Sequence, residues 1–120
     1  MNLVEATVSN GALTSPGLAI PVPRGAAGQV LVGVRPEAWD VVPAGTAGSL
    51  SVRAELVEEL GFESFVYASP LGQEGWALRA PRIVVRTDRH TAVGVDDTMG
   101  ILPHPQEVCF FDGRTGTRIR

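Results

Sequence analysis

The residues of this 120-residue chain that could bind a metal or attack a substrate are few. They are His90, His104, Cys109, Asp96 and Asp97. A zinc site needs close pairs of ligands on a turn, and none of these spacings provides one. Catalysis by Cys109 would need an exposed, activated thiol, but this cysteine lies in an apolar Val-Cys-Phe-Phe run that favours a core side chain. The sequence therefore predicts no metal site, no cofactor site and no catalytic residue.

Two clusters of charged side chains could also carry a function. The carboxylates could supply a catalytic pair, but inward charges need partners, so a solvated strand edge is the favoured interpretation. The cations could contact an acidic partner, and we favour instead strand ends that balance nearby acids. The carboxylates are Glu55, Glu58, Glu59 and Glu63, and the cations are Arg79, Arg82, Arg86 and Arg89.

Binding of nucleic acid or nucleotide finds little support. Phe65, Tyr67 and Trp76 could form a stacking platform for single strands, but their alternating positions are more typical of a core. The net charge of −3 provides no basic field that would attract nucleic acid. All ten cationic residues are arginines, so the Gly-Lys-Ser/Thr of a P-loop is missing.

The most distinctive motif is positioned by an apolar strand. Residues 30–34 read Val-Leu-Val-Gly-Val, an alternation that indicates a strand with at least one buried face. Pro36 ends this strand, because it has no N–H for a ladder and forces Arg35 to be extended. Its fixed φ also suits the first position of a helical turn, near whose N-terminus Glu37 and Asp40 place negative charge. We predict a strand, a corner and a short turn.

The rest of the chain predicts short strands separated by turns. Asn10-Gly11 is a strong turn signal. Residues 50–60 are ambiguous, because their spacing also fits a short helix capped by Gly61; the longer alternation favours a strand. We expect strands at 4–9, 18–22, 30–34, 39–42, 50–60, 63–69, 76–80, 83–86, 99–102 and 107–111, with a hairpin loop at 70–75. Fourteen glycines and nine prolines suit this reading, which predicts one all-β domain over residues 1–120, a closed or nearly closed barrel.

Four stretches together resemble a known family. Gly33, Val34, Arg35, Pro36 and Glu37 resemble the signature of the C-terminal domain of sugar-importer ABC ATPases, a transport-associated OB-like domain. Three more stretches match in order: Met-Asn-Leu-Val-Glu-Ala at residues 1–6, Leu-Val-Glu-Glu-Leu-Gly-Phe-Glu-Ser at 56–64 and Phe-Asp-Gly-Arg-Thr-Gly-Thr-Arg at 111–118. The family includes maltose, trehalose and glycerol-phosphate importers.

The resemblance implies a function without chemistry by this chain. It implies a regulatory domain that helps to pair two copies of an ATP-hydrolysing subunit, contacts permease subunits through the rest of that subunit, and offers a surface to a regulatory protein. ATP and magnesium would then bind only to the ATPase part of a longer protein, so that Met1 would lie inside it. Membrane association would come through the transporter, with the domain cytoplasmic, and a single cysteine fits a reducing cytosol.

Two other function classes stay open at this point. One is a small oxyanion-binding module, similar to molybdate-binding relatives of the fold, which would use backbone N–H groups and Ser, Thr or Lys side chains. The other is a separate OB-type nucleic-acid-binding domain, against which the negative net charge counts.

The role of Arg35 and Glu37 also has two interpretations. They could form a pair that faces a subunit or a regulator, or they could tie neighbouring loops to the corner at Pro36. The sequence favours the structural corner, because Pro36 dictates geometry whatever the partners do. Arg35→Ala is then expected to lower the melting temperature.

Overall fold

Two antiparallel sheets form the framework of the described part of the chain, and the all-β, OB-like fold class is confirmed. The structure is a computed structural model that describes residues 1–15, 18, 20–71, 77–78, 80–88 and 90–119. The strands are β1 (Asn2–Ser9), β2 (Ala12–Ser15), β3 (Gly28–Val34), β4 (Trp39–Val42), β5 (Leu50–Glu59), β6 (Glu63–Pro70), β7 (Ala77–Leu78), β8 (Ile83–Asp88), β9 (Thr98–Pro103), β10 (Cys109–Asp112) and β11 (Arg118–Ile119). Two 3₁₀ turns complete the description, the first over Pro36–Ala38 and the second over Pro105–Glu107.

The first sheet has the strand order β11-β10-β3-β1-β2, with β7 also paired to β1. Its centre is the β1–β3 pair, in which Val4 lies opposite Val32 and Ala6 opposite Val30. These side chains point into the core and are almost fully buried. The Asn10-Gly11 turn before β2 is confirmed, since both residues have the positive φ that a tight hairpin requires.

The second sheet has the order β4-β9-β5-β6-β8, so β4 and β8 are its two edges. All four pairings between neighbours are antiparallel. Four reversals leave β4 and β8 running in the same direction. They also lie near each other, with the first 3₁₀ turn against β8, so the sheet curls into a nearly closed barrel. Its interior is filled by Val52, Val66, Ile83, Val85 and Ile101, all with no exposed surface.

A β-bulge at Glu55 changes which residues of β5 face the core. Ala54 pairs with Ala68, but the next pair is Leu56 with Tyr67, so Glu55 is an extra residue. An extra residue moves all later side chains to the opposite face. Residues 50–60 therefore form the predicted strand, yet Leu56, expected on the inner face, is 49% exposed.

Three other expectations need correction. The second strand lies at Ala12–Ser15 rather than 18–22, where the described residues are not in a strand, because the tight turn starts the return at once. Of the strand expected at 76–80, the structure describes β7, which pairs with β1 rather than returning against β6, and Ala80, which is not in a strand. In β6, Val66 and Ala68 fill the core, and the rings of Phe65 and Tyr67 are only half-buried. Trp76 and most of the expected loop at 70–75 lie outside the described residues.

Candidate functional site at the crossing between the sheets

The Gly-Val-Arg-Pro-Glu motif lies where the chain leaves the first sheet for the second. Gly33 and Val34 end β3, and the first 3₁₀ turn leads directly into β4. Gly33 is buried, and a Cβ there would lie 2.6 Å from Met1 Sδ and 3.0 Å from Phe111 Cε2, so the Met1 side chain would have to move. Val34 has no exposed surface. Gly33 and Val34 therefore contribute to close packing at the end of β3.

Pro36 forms the corner as expected. Arg35 is extended, with φ −71° and ψ 153°, and Pro36 occupies the first turn of the 3₁₀ segment. The Ala38 N–H donates to the Arg35 carbonyl at 2.9 Å, which closes the turn. The side chains of Arg35 and Glu37 are exposed and make no hydrogen bond or ion pair with the described part of the chain. Their charges thus point outward on both sides of a backbone corner.

Asn2 makes the bonds that the charged pair was expected to make. Its Nδ2 donates to the carbonyls of Val34, at 3.0 Å, and of Val84, at 2.8 Å. Its Oδ1 accepts from the Val84 N–H at 2.7 Å. Val34 belongs to the first sheet and Val84 to the second, so one side chain, 8% exposed, links the two sheets beside the corner. The sequence showed Asn2 only as part of the family-like Met-Asn start.

A second corner carries the chain back from the second sheet to the first. His104 is extended before Pro105, and the Glu107 N–H donates to the His104 carbonyl at 2.9 Å. This repeats the backbone pattern of Arg35-Pro36. The two corners are joined directly, because the His104 N–H donates to the Ala38 carbonyl at 2.8 Å. The repeated Xaa-Pro-Xaa pattern was a signal that sequence reasoning missed.

The His104 side chain adds charge to this junction. Its Nε2 lies 2.8 Å from Asp40 Oδ1, and its Nδ1 lies 2.8 Å from Glu107 Oε2. Only the protonated imidazole donates at both nitrogens. The hydrogen bond to Asp40, followed by that to Glu107, raises the pKa of His104 above its ordinary value of 6.5. The His104 side chain therefore links the two corners.

The other residues considered for chemistry are kept apart. Asp96 is paired with Arg53 at 2.8 Å, Asp97 accepts from the Gly94 N–H, and Cys109 is half-buried rather than fully in the core. Among the residues that the structure describes, no group of three or more His, Cys, Asp or Glu side chains could hold a metal ion.

The charged clusters follow the structural interpretation where they are described. Arg82 Nε lies 2.9 Å from Glu55 Oε1, and Arg86 Nη2 lies 2.6 Å from Glu63 Oε2. Glu58 and Glu59 are exposed. Arg79 and Arg89 lie outside the described residues.

A groove runs along the open side of the barrel, between the edges β4 and β8. Its volume is about 840 Å³, and four carboxylates and two cationic side chains line it. These are Glu37, Asp40, Glu63, Asp88, Arg86 and His104. We call it the seam groove. A smaller cleft of about 170 Å³ lies on another side of Pro36, lined also by Met1, Leu78 and Val84.

Comparisons with known proteins find relatives along almost the whole chain. The family described as the CysA C-terminal regulatory domain matches residues 2–41, a range that holds Asn2 and the whole first corner. The sn-glycerol-3-phosphate import ATP-binding protein UgpC of Ruegeria pomeroyi is 32% identical over 120 residues, covering 99% of this chain and 32% of that protein. The same protein of Paracoccus denitrificans is 33% identical over 122 residues, with the same coverage.

A relative that is named for a different solute matches the chain over the same share of its length. The diacetylchitobiose uptake system ATP-binding protein MsiK of Streptomyces coelicolor is 29% identical over 141 residues, covering 99% of this chain and 36% of that protein. The chain thus spans about a third of the length of these relatives. In the described part of the chain, none of the helices is long and apolar enough to cross a membrane. The resemblance seen in the sequence is confirmed.

Proposed function

Because the chain resembles the C-terminal regulatory part of importer ATP-binding proteins over nearly its full length, we propose that it is the regulatory and subunit-pairing domain of such a protein. It would belong to the ATP-hydrolysing subunit of a bacterial ABC importer for sugars or related solutes. The observation that carries this proposal is the regulatory-domain match over residues 2–41, supported by relatives that cover 99% of the chain. ATP and magnesium would bind to another part of that subunit.

The proposed partners are a second copy of the same subunit, the permease subunits reached through the ATPase part, and a regulatory protein. The proposed location is the cytoplasmic side of the inner membrane, where the transporter complex would hold the domain. The seam groove supports neither an oxyanion nor a nucleic acid as ligand, because its carboxylates outnumber its cations.

For the motif itself, we propose a division of roles. Gly33, Val34 and Pro36 shape the corner, and the outward charges of Arg35 and Glu37 contact a partner. A patch with both signs of charge suits a two-fold contact, in which Arg35 of one copy meets Glu37 of the other. The cleft beside Pro36 offers apolar surface at the same place.

Sedimentation of the 120-residue chain over a range of concentrations tests this pairing. The chain should dimerise weakly, and Arg35→Glu should weaken the dimer by about two- to thirtyfold, because exposed ion pairs contribute about 0.2–1 kcal/mol each and two are lost. The double variant Arg35→Glu with Glu37→Arg should restore the affinity, since it exchanges the signs within each pair.

Arg24→Glu is the matched control, because Arg24 is exposed and lies far from the motif in sequence. Its dimer should be nearly as strong as that of the parent chain. A chain that stays monomeric into the high micromolar range would contradict the pairing role. Equal weakening by Arg24→Glu would place the contact elsewhere.

A further inference from the structure

The seam groove is bordered by two strands whose outer edges have no strand beside them in the described part of the chain. β4 pairs only with β9, and β8 pairs only with β6. The backbone N–H and C=O of Val84 in β8 bond to Asn2, and the remaining backbone groups on these two edges are presented to the groove. An extended polypeptide can pair with such a row by adding one more strand.

The charges of the seam groove determine which sign of charge a ligand must carry. Four carboxylates face one arginine and one histidine. Arg86 is already paired with Glu63, and His104 already bridges Asp40 and Glu107. Glu37 and Asp88 are exposed and have no ion pair among the described side chains. The groove therefore has unbalanced negative charge and is complementary to a cationic segment.

Two buried polar atoms and one exposed ring point to a ligand in the same place. Within the described part of the chain, the Trp39 indole Nε1 and the Thr87 Oγ1 have no hydrogen-bond partner, although their residues are only 4% and 6% exposed and both line the groove. Buried donors of this kind normally have an acceptor, and because each atom exposes less than 1 Å², a peptide carbonyl would reach them only if the groove opens further. Phe62, at the mouth of the groove, is 78% exposed and offers a ring face to a cation.

We propose that the seam groove binds an extended, positively charged segment of a regulatory partner protein. The segment's backbone pairs with a free strand edge, one Lys or Arg side chain meets Asp88, and another stacks on Phe62. Glu37 is left to the contact between copies that is proposed above. The free edges favour a polypeptide over a small polycation, because only a polypeptide supplies the alternating donors and acceptors. The identity of the partner as a regulator rests on the proposed function, whereas the binding itself does not.

Fluorescence anisotropy with the 120-residue chain tests the proposal. The probes are a labelled (Arg-Val)₄ peptide, the same peptide with every backbone nitrogen methylated, and (Glu-Val)₄. The first should bind saturably, and more weakly when the ionic strength rises from about 0.01 M to 0.15 M, which shortens the Debye length from about 30 to 8 Å. The methylated peptide should lose most of its affinity, because it cannot donate to a strand edge.

Matched variants locate the site. Asp88→Asn should weaken binding of (Arg-Val)₄ about two- to fivefold, as expected for one exposed ion pair. Asp97→Asn should not, although Asp97, like Asp88, is an exposed aspartate that accepts a nearby backbone N–H. Phe62→Ser should weaken binding to a similar extent, about two- to fivefold, and Leu60→Ser, on the same hairpin but outside the groove, should not.

The proposal is overturned if (Glu-Val)₄ binds as tightly as (Arg-Val)₄, if methylation has no effect, or if Asp97→Asn and Asp88→Asn are equivalent. Spermine that displaces the peptide while methylation leaves binding unchanged would indicate a polyamine site, which also overturns it. Dimerisation through Arg35 is measured separately by sedimentation, so failure of peptide binding and failure of the proposed pairing role are distinguishable.

Discussion

The link that Asn2 makes between the two sheets should be a large single contribution to stability. Asn2→Ala removes three hydrogen bonds and leaves the Val34 carbonyl and both backbone groups of Val84 without this partner. At about 0.5–1.5 kcal/mol for each bond, the free energy of unfolding should fall by about 1.5–4.5 kcal/mol. At about 4 °C per kcal/mol for a domain near this size, the melting temperature should fall by about 6–18 °C.

Thermal denaturation followed by circular dichroism measures this effect. Gln106→Ala is the control, because it removes an exposed amide side chain and should shift the melt by no more than about 2 °C. Asn2→Asp should be no more stable than Asn2→Ala at neutral pH, because a carboxylate oxygen would replace the donor that faces two carbonyls. A melt of Asn2→Ala as little shifted as that of Gln106→Ala would refute the argument.

Three further outcomes follow from the same structure. Arg35→Ala should change the free energy of unfolding by no more than about 0.5 kcal/mol and leave the melting temperature almost unchanged, since the exposed side chain makes no hydrogen bond or ion pair with the described part of the chain. A drop of several degrees would restore the structural interpretation. The contribution of His104 to stability is complete below pH 6.5 and is lost as the pH rises through its raised pKa. The difference in free energy of unfolding between the parent and His104→Ala, measured in urea, should therefore shrink from about pH 6 to pH 9, by about 1 kcal/mol or less. An equal difference at both pH values would contradict this. Gly113→Ala should lower the free energy of unfolding by about 1–3 kcal/mol, because its Cβ would lie 2.6 Å from the Gln29 backbone oxygen. Gly94→Ala is the control, since no atom lies nearer than 3.5 Å to a Cβ at that position. Equal urea midpoints for the two variants would show that the backbone shifts to accept the added methyl group.

The sequence predicted features that a few neighbouring residues determine. Proline at position 36 fixes its own φ and restricts Arg35, so the strand, corner and turn could all be placed correctly. The turn at Asn10-Gly11 has the same local origin, and the alternation of β5 identified a strand over a helix.

The features that were missed depend on distant partners or on one extra residue. Asn2 bonds to Val84 and His104 to Asp40, and no local pattern announces partners so far along the chain. The bulge at Glu55 turns Leu56 outward, although the alternation before it places Leu56 inward. An alternating pattern of apolar and polar residues does not show where a bulge interrupts the strand.

The candidate site shows the same division. The corner residues were named from the sequence, but the direction of the Arg35 and Glu37 side chains depends on what the rest of the fold leaves beside them. The seam groove was not predicted, because it forms only when β4 and β8, the two ends of one sheet, curl toward each other.

The way the two sheets share the chain has a consequence for how the polypeptide folds as it is made. All strands of the second sheet come from the segment β4 to β9, which also contributes β7 to the first sheet, whereas the rest of the first sheet comes from β1 to β3 before it and β10 and β11 after it. A growing chain can therefore complete the barrel while β3 still waits for β10, whose Phe110 pairs with Val32. Such late, distant pairings slow folding. Until β10 arrives, β3 presents an open valine-rich edge, so interrupted synthesis should yield chains that associate with one another rather than a smaller stable domain.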